Sequence, residues 1–217
     1  MLIDNGTSTL LDPDAAPIGR GERRKQHTKR RLLDAAAETY ADLGVEGATI
    51  SAITERADVG LGTFYLHFED KDSIAISVSG FVYRRILHEE NTASDAVRAV
   101  GGDPDPLAIF ARVVCGRAAD APGLVSALLQ WDGPSKPRAE FDPDLVGLRQ
   151  AILPHLSRRC AEGMARGLYR TEDTDLAANA VLGLLVTTIP AWVERGRNDW
   201  NVLASFVERS AVSMFRR

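Results

Sequence analysis

The chain has 217 residues, 45% of them hydrophobic, which is enough for one or two globular domains with a sizeable core. Its formal charge of −4 argues at first sight against an anionic partner such as nucleic acid. The two cysteines, Cys115 and Cys160, exclude a disulfide framework and have no metal-ligand spacing. They read as semi-buried thiols of a reducing, cytoplasmic setting, with a redox switch as the minor alternative.

Residues 1 to 19 mix Gly, Ser, Thr, Asp and Pro without periodicity and are expected to be a disordered arm. The opening MLIDNGTSTLLDPD is acidic and lacks an apolar core, so no secretory signal is expected. The charge balance then reverses. Residues 20 to 31, RGERRKQHTKRR, hold seven Arg or Lys against one Glu. Taking this +6 from the total of −4 leaves −10 on the rest. A solvated charge run would look the same, but such a division suits a basic end that meets an anion and an acidic body that does not. The first helix is placed at Thr28 to Leu43, with Leu33, Ala36, Ala37 and Tyr40 inward. Gly44 suits the left-handed position after it. Arg23, Arg24 and Lys25 precede this helix and are free to track phosphates or enter a minor groove.

The stretch from Thr49 to Lys71, TISAITERADVGLGTFYLHFEDK, reads as two short helices and a tight turn. Ile50, Ile53 and Ala57 form one helical stripe, and Leu61, Phe64 and Phe68 another. Thr49 is placed to cap the first, and Asp58-Val59-Gly60 makes the turn. The pair is expected at about Ile50 to Ala57 and Leu61 to Phe68. An ordinary helical hairpin has the same periodicity. The polar face tells them apart: Gly62 and Thr63 allow close approach to base edges, and Tyr65, His67 and Lys71 can donate to phosphate oxygens. Phe64 and Phe68 lie one turn apart and belong in the core.

These residues carry a family resemblance. The run from Lys29 to Ile74 resembles the N-terminal DNA-binding domain of the tetracycline-repressor (TetR) family. The matching pieces are Leu33-Asp34-Ala35-Ala36, Gly44, Thr49, Gly62-Thr63-Phe64-Tyr65, His67-Phe68 and Lys71. Three positions depart from the family pattern: Asp58 where Gly is usual in the turn, Gly60 where a capping Ser is common, and Leu61 where Lys or Arg is common. Asp tolerates the left-handed region, Gly is a usable N-cap, and a Leu can touch a thymine methyl. The resemblance implies that Leu61, Gly62 and Thr63 face bases, while Thr49, Tyr65, His67 and Lys71 hold phosphates. Half-buried packing is the plain alternative for Tyr65, and a helix C-terminal cap for His67.

The remaining pattern is helical throughout, with no competing strand and no internal repeat. A helix capped by Asp70 is expected from Lys71 to about Asn91, with Ile74, Val78, Phe81, Val82 and Ile86 buried, carrying the chain out of the DNA-binding unit (residues 20 to 71) into the body (72 to 217). After the break at residues 101 to 106, helices are expected at Leu107 to Ala119, Gly123 to Trp131, Pro143 to Gly167, Asp173 to Arg195 and Asn198 to Phe215. Asp132 to Asp142 form a loop between the second and third of these. Pro154 and Pro190 should kink or split their helices. The apolar run from Leu176 to Val193 approaches membrane-spanning length, but Asn179, two threonines and Pro190 favour a buried or dimer-forming helix. The fold class is therefore all-α, with a three-helix helix-turn-helix domain and a larger helical body, about nine helices in all.

The resemblance implies that the body dimerises through its last two helices, with Ala177, Ala180, Val181, Leu184, Leu185, Val202 and Phe206 on the contact face. Two copies would then read an inverted repeat in double-stranded DNA. It also implies an effector pocket in the body. Phe81, Phe110, Cys115, Leu128, Trp131, His155 and Leu156 are the candidates to line it, for each of which plain core packing is the alternative. His155 is the polar candidate, and an apolar effector is preferred. No cofactor, metal or membrane partner is expected. The main reading is a ligand-responsive repressor. A second is a helical dimer that binds small molecules but has lost specific DNA reading, prompted by Gly60 and Leu61. An enzyme finds no support, because none of the nucleophile, phosphate-loop or paired-histidine motifs occurs.

Overall fold

Nine helices make up the regular structure of the computed structural model, which describes residues 19–134, 146–170 and 173–216. They are α1 (Arg20–Gly47), α2 (Ile50–Arg56), α3 (Leu61–Tyr65), α4 (Lys71–Ala99), α5 (Pro106–Asp120), α6 (Pro122–Gln130), α7 (Leu148–Ala165), α8 (Thr174–Glu194) and α9 (Trp200–Phe215). Among the described residues the only extended pairing is an isolated bridge between Tyr169 and Arg216. The expected arm lies almost wholly outside the described residues, as does most of the loop expected at Asp132 to Asp142.

The first helix starts at Arg20, not Thr28. Arg, Lys, Gln and Glu are strong helix formers and nothing between residues 20 and 27 breaks the ladder. Arg23, Arg24 and Lys25 therefore project from a helix instead of preceding one. The ladder breaks at Gly44, whose φ of 72° and ψ of 168° suit only glycine. Leu32, Ala35, Ala36, Ala37 and Tyr40 are buried, with Leu33 at the margin of the core.

The fourth helix runs on to Ala99 where a stop near Asn91 was expected. It ends where Gly101 takes φ 75° and the Gly102 amide returns to the Val97 carbonyl at 3.0 Å. Its start is fixed by a reciprocal cap: Ser73 donates its amide to Asp70 Oδ1 at 2.7 Å, and the Asp70 amide reaches Ser73 Oγ at 3.1 Å. That cap needs Asp70 extended, so the chain leaves α3 at Tyr65 and Leu66-His67 form a turn instead of helix. In α7, Gly147 is extended and Gln150 reaches back to its amide, which sets the start at Leu148. Pro154 and Pro190 each sit inside one continuous helix and do not divide it.

Helices α1 to α4 pack around Leu32, Ala36, Tyr40, Ile53, Phe64 and Ile74, all fully buried. In the body, α5 lies along α9, α7 along α8, and α4 against both α5 and α7. Helix α6 packs on α1 as well as on α8. The approach of α6 to α1 is close: a Cβ on Gly123 would stand 2.7 Å from the Ala41 carbonyl oxygen. Helix α8 is the one described helix long and apolar enough to cross a membrane. Its Ala177, Ala178, Val181, Leu182, Leu185 and Ile189 are buried inside the chain.

Candidate nucleic-acid interface

The two-helix unit is held by caps and by one arginine. Thr49 caps α2, accepting from the Ala52 amide at 3.1 Å. Asp58 takes φ 50° in the turn, the only described residue other than glycine at positive φ. Arg31 of α1 binds this turn, its Nη2 donating to the carbonyls of Ala57 at 2.6 Å and Asp58 at 3.0 Å. The guanidinium thus satisfies carbonyls left open at the end of α2. Arg56 ties the same helix back to Asp42 of α1 at 2.7 Å. Gly60 opens α3 without a side-chain cap.

Helix α3 buries Phe64 and turns the rest of its surface outward. Leu61 is 54% exposed, Tyr65 55%, and Leu66 in the following turn 74%. Gly62 is exposed and Thr63 half-buried. Tyr65 stands edge-on to Phe64, ring centres 5.4 Å apart, so its packing partner supports it without covering it. Cations stand beside this face. Lys29 Nζ lies 5.7 Å from the ring centre of Phe68. Burial first, and then Lys25 and Lys29, hold the His67 imidazole below the usual histidine range. Arg20, Arg23, Arg24, Lys25 and Lys29 are exposed, and among the described residues none is in an ion pair.

The expected phosphate-holding set therefore divides. Lys25 and Lys29 of α1 act on His67, Tyr65 is exposed on α3, and Thr49 is exposed at the start of α2. Lys71 is occupied elsewhere: its Nζ donates to the carbonyls of Glu46 at 3.0 Å and Val45 at 3.3 Å. Those carbonyls end α1, where a cation is favoured, so Lys71 fastens α4 to α1. Arg31, Arg56 and Lys29 were not singled out from the sequence. Arg31 and Asp58 are 27 residues apart and no local pattern links them.

In the body, Phe110, Cys115, Leu128, Trp131, His155 and Leu156 are buried and Phe81 half-buried. His155 is not free. Its Nε2 lies 2.7 Å from Glu90 Oε2, and Arg159 Nε donates to Glu90 Oε1 at 2.7 Å. The rings of Phe110 and Tyr83 flank the imidazole at 5.5 and 6.2 Å. Glu90 extends the stripe Ile74, Val78, Val82 and Ile86 by one more turn, a signal that would have found it. Trp131 stands apart, lining an open cleft of about 290 Å³ between the end of α6 and residues 43 to 47. Burial pushes the thiols of Cys115 and Cys160 up to about 12 and about 11, so neither offers a thiolate at neutral pH. Among the described residues no group of three or more His, Cys, Asp or Glu is placed to hold a metal ion.

The outward face of α8 is rotated from the one expected. Ala177, Val181 and Leu185 are buried in the chain's own core, where α8 packs on α6, α7 and α9, so they are not available to a second copy. Ala180 is exposed and Leu184 half-buried. Leu176 is 68% exposed, and Val202 and Phe206 of α9 are 54% and 48% exposed. Residues 177, 181 and 185 share one helical face, and the apolar face left open begins one residue earlier.

Residues 32–78 match the profile of the bacterial regulatory proteins, tetR family. The chain is 30% identical over 200 residues to the HTH-type transcriptional repressor KstR of Mycobacterium tuberculosis, covering 87% of this chain and 86% of that one. It belongs to the TetR family. The TetR-family match to KstR of Mycolicibacterium smegmatis is shorter, 31% identical over 84 residues and 39% of each chain. The fold is that of the fatty acid degradation regulator FadR from Bacillus halodurans, with a TM-score of 0.66 at 20% identity over 91% of this chain and 97% of the other. FadR from Bacillus subtilis in complex with stearoyl-CoA gives 0.63 at 22% identity, covering 85% of this chain and 97% of that one. This TetR-family chain is thus a DNA-binding transcriptional regulator with an N-terminal helix-turn-helix and a helical body.

Proposed function

We propose that two copies of this chain read an inverted repeat in double-stranded DNA, and that a small apolar effector in the helical body releases them from it, so that the protein acts as a cytoplasmic repressor. The observation that carries the reading is that Leu61, Gly62 and Tyr65 are exposed on α3 while Lys29 of α1 stands over Phe68 just after that helix. Leu61, Gly62 and Thr63 approach the bases, and Gly62 lets the backbone come close. Thr49, Tyr65, His67, Arg23, Arg24 and Lys25 lie along the phosphates. Lys71 donates to two carbonyls and keeps a third ammonium hydrogen for a phosphate.

The open apolar face of Leu176, Ala180, Leu184, Val202 and Phe206 supports pairing of two copies about a two-fold axis. Phe81, Phe110, Cys115, Leu128 and Leu156 supply the apolar wall of the effector region, and the Glu90 partner of His155 leaves that wall with little polar capacity. The M. tuberculosis relative is named a repressor, which supports the proposed direction of control, and the B. subtilis FadR structure holds stearoyl-CoA, whose acyl chain supports an effector with an apolar part.

Selection of bound duplexes from a random library, at near-physiological salt, tests the proposal. An inverted repeat among the selected sequences is the expected result. Binding without a recovered motif, lost as salt rises, would favour the second reading, a ligand-binding dimer with weakened DNA specificity. The specific observation behind that reading is that Gly60 opens α3 without a capping side chain.

A further inference from the structure

We propose that the open cleft at the seam between α1 and α6 is a second small-molecule site, one that takes an arylalkylammonium ion and ties the reading unit to the body. It is separate from the effector region in the core of the body and does not rest on the role given to that region. Along the seam the two helices first close tightly, where a Cβ on Gly123 would meet the Ala41 backbone. The α1 ladder then breaks at Gly44, and the space beside the end of α6 is left open beyond the break. The resulting cleft has about 290 Å³, near the lower end of ligand-sized sites at roughly 300–1,000 Å³.

Its wall is apolar and firm. Leu43, Val45, Ala127 and Trp131 line it. Leu43 is 56% exposed and so offers apolar surface to an occupant. The Trp131 ring is backed by the start of α7, where a Cβ on Gly147 would stand 3.2 Å from the ring's Cε3. The polar part of the lining favours a donor with positive charge. The carbonyls of Val45 and Glu46 already accept from Lys71, and that of Gly44 from the Ala48 amide. Gln130 uses its Nε2 on Ser126, at 3.0 Å to Oγ, and its Oε1 takes no donor among the described residues. The Glu46 carboxylate is 81% exposed and 3.9 Å from Lys71 Nζ, a pairing that contributes little at the surface. Among the described residues Glu46 is the one charged side chain in the lining. An anionic ligand would meet that carboxylate, and a neutral apolar one would leave both acceptors without a donor. A flat ring with an ammonium head satisfies the wall and the acceptors together, and an indole in the wall adds to the attraction for a cation.

The lining comes from both units. Residues 43–47 end α1, Ala127, Gln130 and Trp131 end α6, and the carbonyls of residues 45 and 46 hold Lys71 at the start of α4. An occupant therefore bridges the reading unit and the body beside the point from which α4 leaves one for the other.

The probe is 2-phenylethylammonium chloride, with 2-phenylethanol and ethylammonium chloride as its neutral and ringless counterparts, all at constant ionic strength. Tryptophan emission of the full chain should change saturably with the probe, half-saturating at about 1 mM, the order expected for a ligand of so few non-hydrogen atoms. Both counterparts should bind more weakly, and Glu46→Gln should weaken the probe about threefold, the size of an exposed charge pair. Glu46 is exposed, so this replacement removes charge without disturbing packing. Amide hydrogen exchange of the parent chain then places the site: slowing at residues 43–48 and 127–131 under saturating probe is expected. No saturable change in emission, or protection elsewhere with these two segments unchanged, overturns the site. Equal affinity for the alcohol and the ammonium, or an unchanged affinity in Glu46→Gln, overturns the assignment of a cationic ligand.

Discussion

Placing a proton on His67 is opposed by burial and by the neighbouring Lys25 and Lys29. A phosphate arriving at the ring supplies the missing anion and raises the imidazole's pKa relative to the free protein. Binding then takes up a proton, so DNA affinity rises as pH falls through the region below the ordinary histidine value of 6.5. Anisotropy titrations between about pH 7.5 and 5.5 at constant ionic strength should show this rise, and His67→Gln should flatten it. A flat profile in the parent chain would place His67 away from the phosphates. Glu90 makes a different kind of prediction. Its carboxylate is buried and accepts from both His155 and Arg159. Glu90→Ala leaves two donors without their shared acceptor and should cost about 3–5 kcal/mol in urea unfolding. Glu90→Gln, which keeps one acceptor oxygen, should cost less, and a loss below about 1 kcal/mol for the alanine variant would contradict the buried network.

At the level of elements, the contact between α1 and α6 is the direct link from the reading unit to the body that bypasses α4. It depends on the absence of a side chain at Gly123, where a Cβ would meet the Ala41 backbone. Backbone cannot yield as a side-chain tip can, so Gly123→Ala should lower stability by about 1–3 kcal/mol, read from the thermal midpoint. An unchanged midpoint would mean that the helices do not approach so closely in solution. Nothing in the sequence announces this contact, since a glycine after a proline at a helix start reads only as a turn signal. The helices themselves were legible because apolar spacing is local. Thr49, Asp70 and Asp173 mark starts that the chain uses. The misplaced ends have physical causes: a basic run good enough to be helix put the start of α1 at Arg20, and α4 continues past Asn91 until Gly101 and Gly102 end it. In α3 the sequence extended a helix that the Asp70 cap cuts short.

On the scale of the whole molecule, the exposure of Leu61, Gly62 and Tyr65 beside the buried Phe64 was legible, because residues beside an apolar stripe can be counted on a helical wheel. The open face of α8 was legible only to within one residue of rotation, since the helix is apolar nearly all round and only its neighbours decide which side stays open. That open side makes a prediction. Phe206→Glu places a charge in the middle of the proposed two-fold contact, and sedimentation should show a monomer where the parent chain sediments as a dimer. A dimer unaffected by Phe206→Glu and by Leu176→Glu together would move the contact elsewhere. One further property follows from the way charge is distributed. Residues 20–31 hold +6, residues 32–71 hold −6 and residues 72–217 hold −1. The positive charge is therefore concentrated on the early turns of α1, whose residues 20 to 27 are exposed, and the remainder of the reading unit is acidic. Near a polyanionic rod that one helix is drawn in while the acidic remainder is held off, so the rod is met α1 first. The rate of capture should accordingly fall with added salt more steeply than the rate of escape rises.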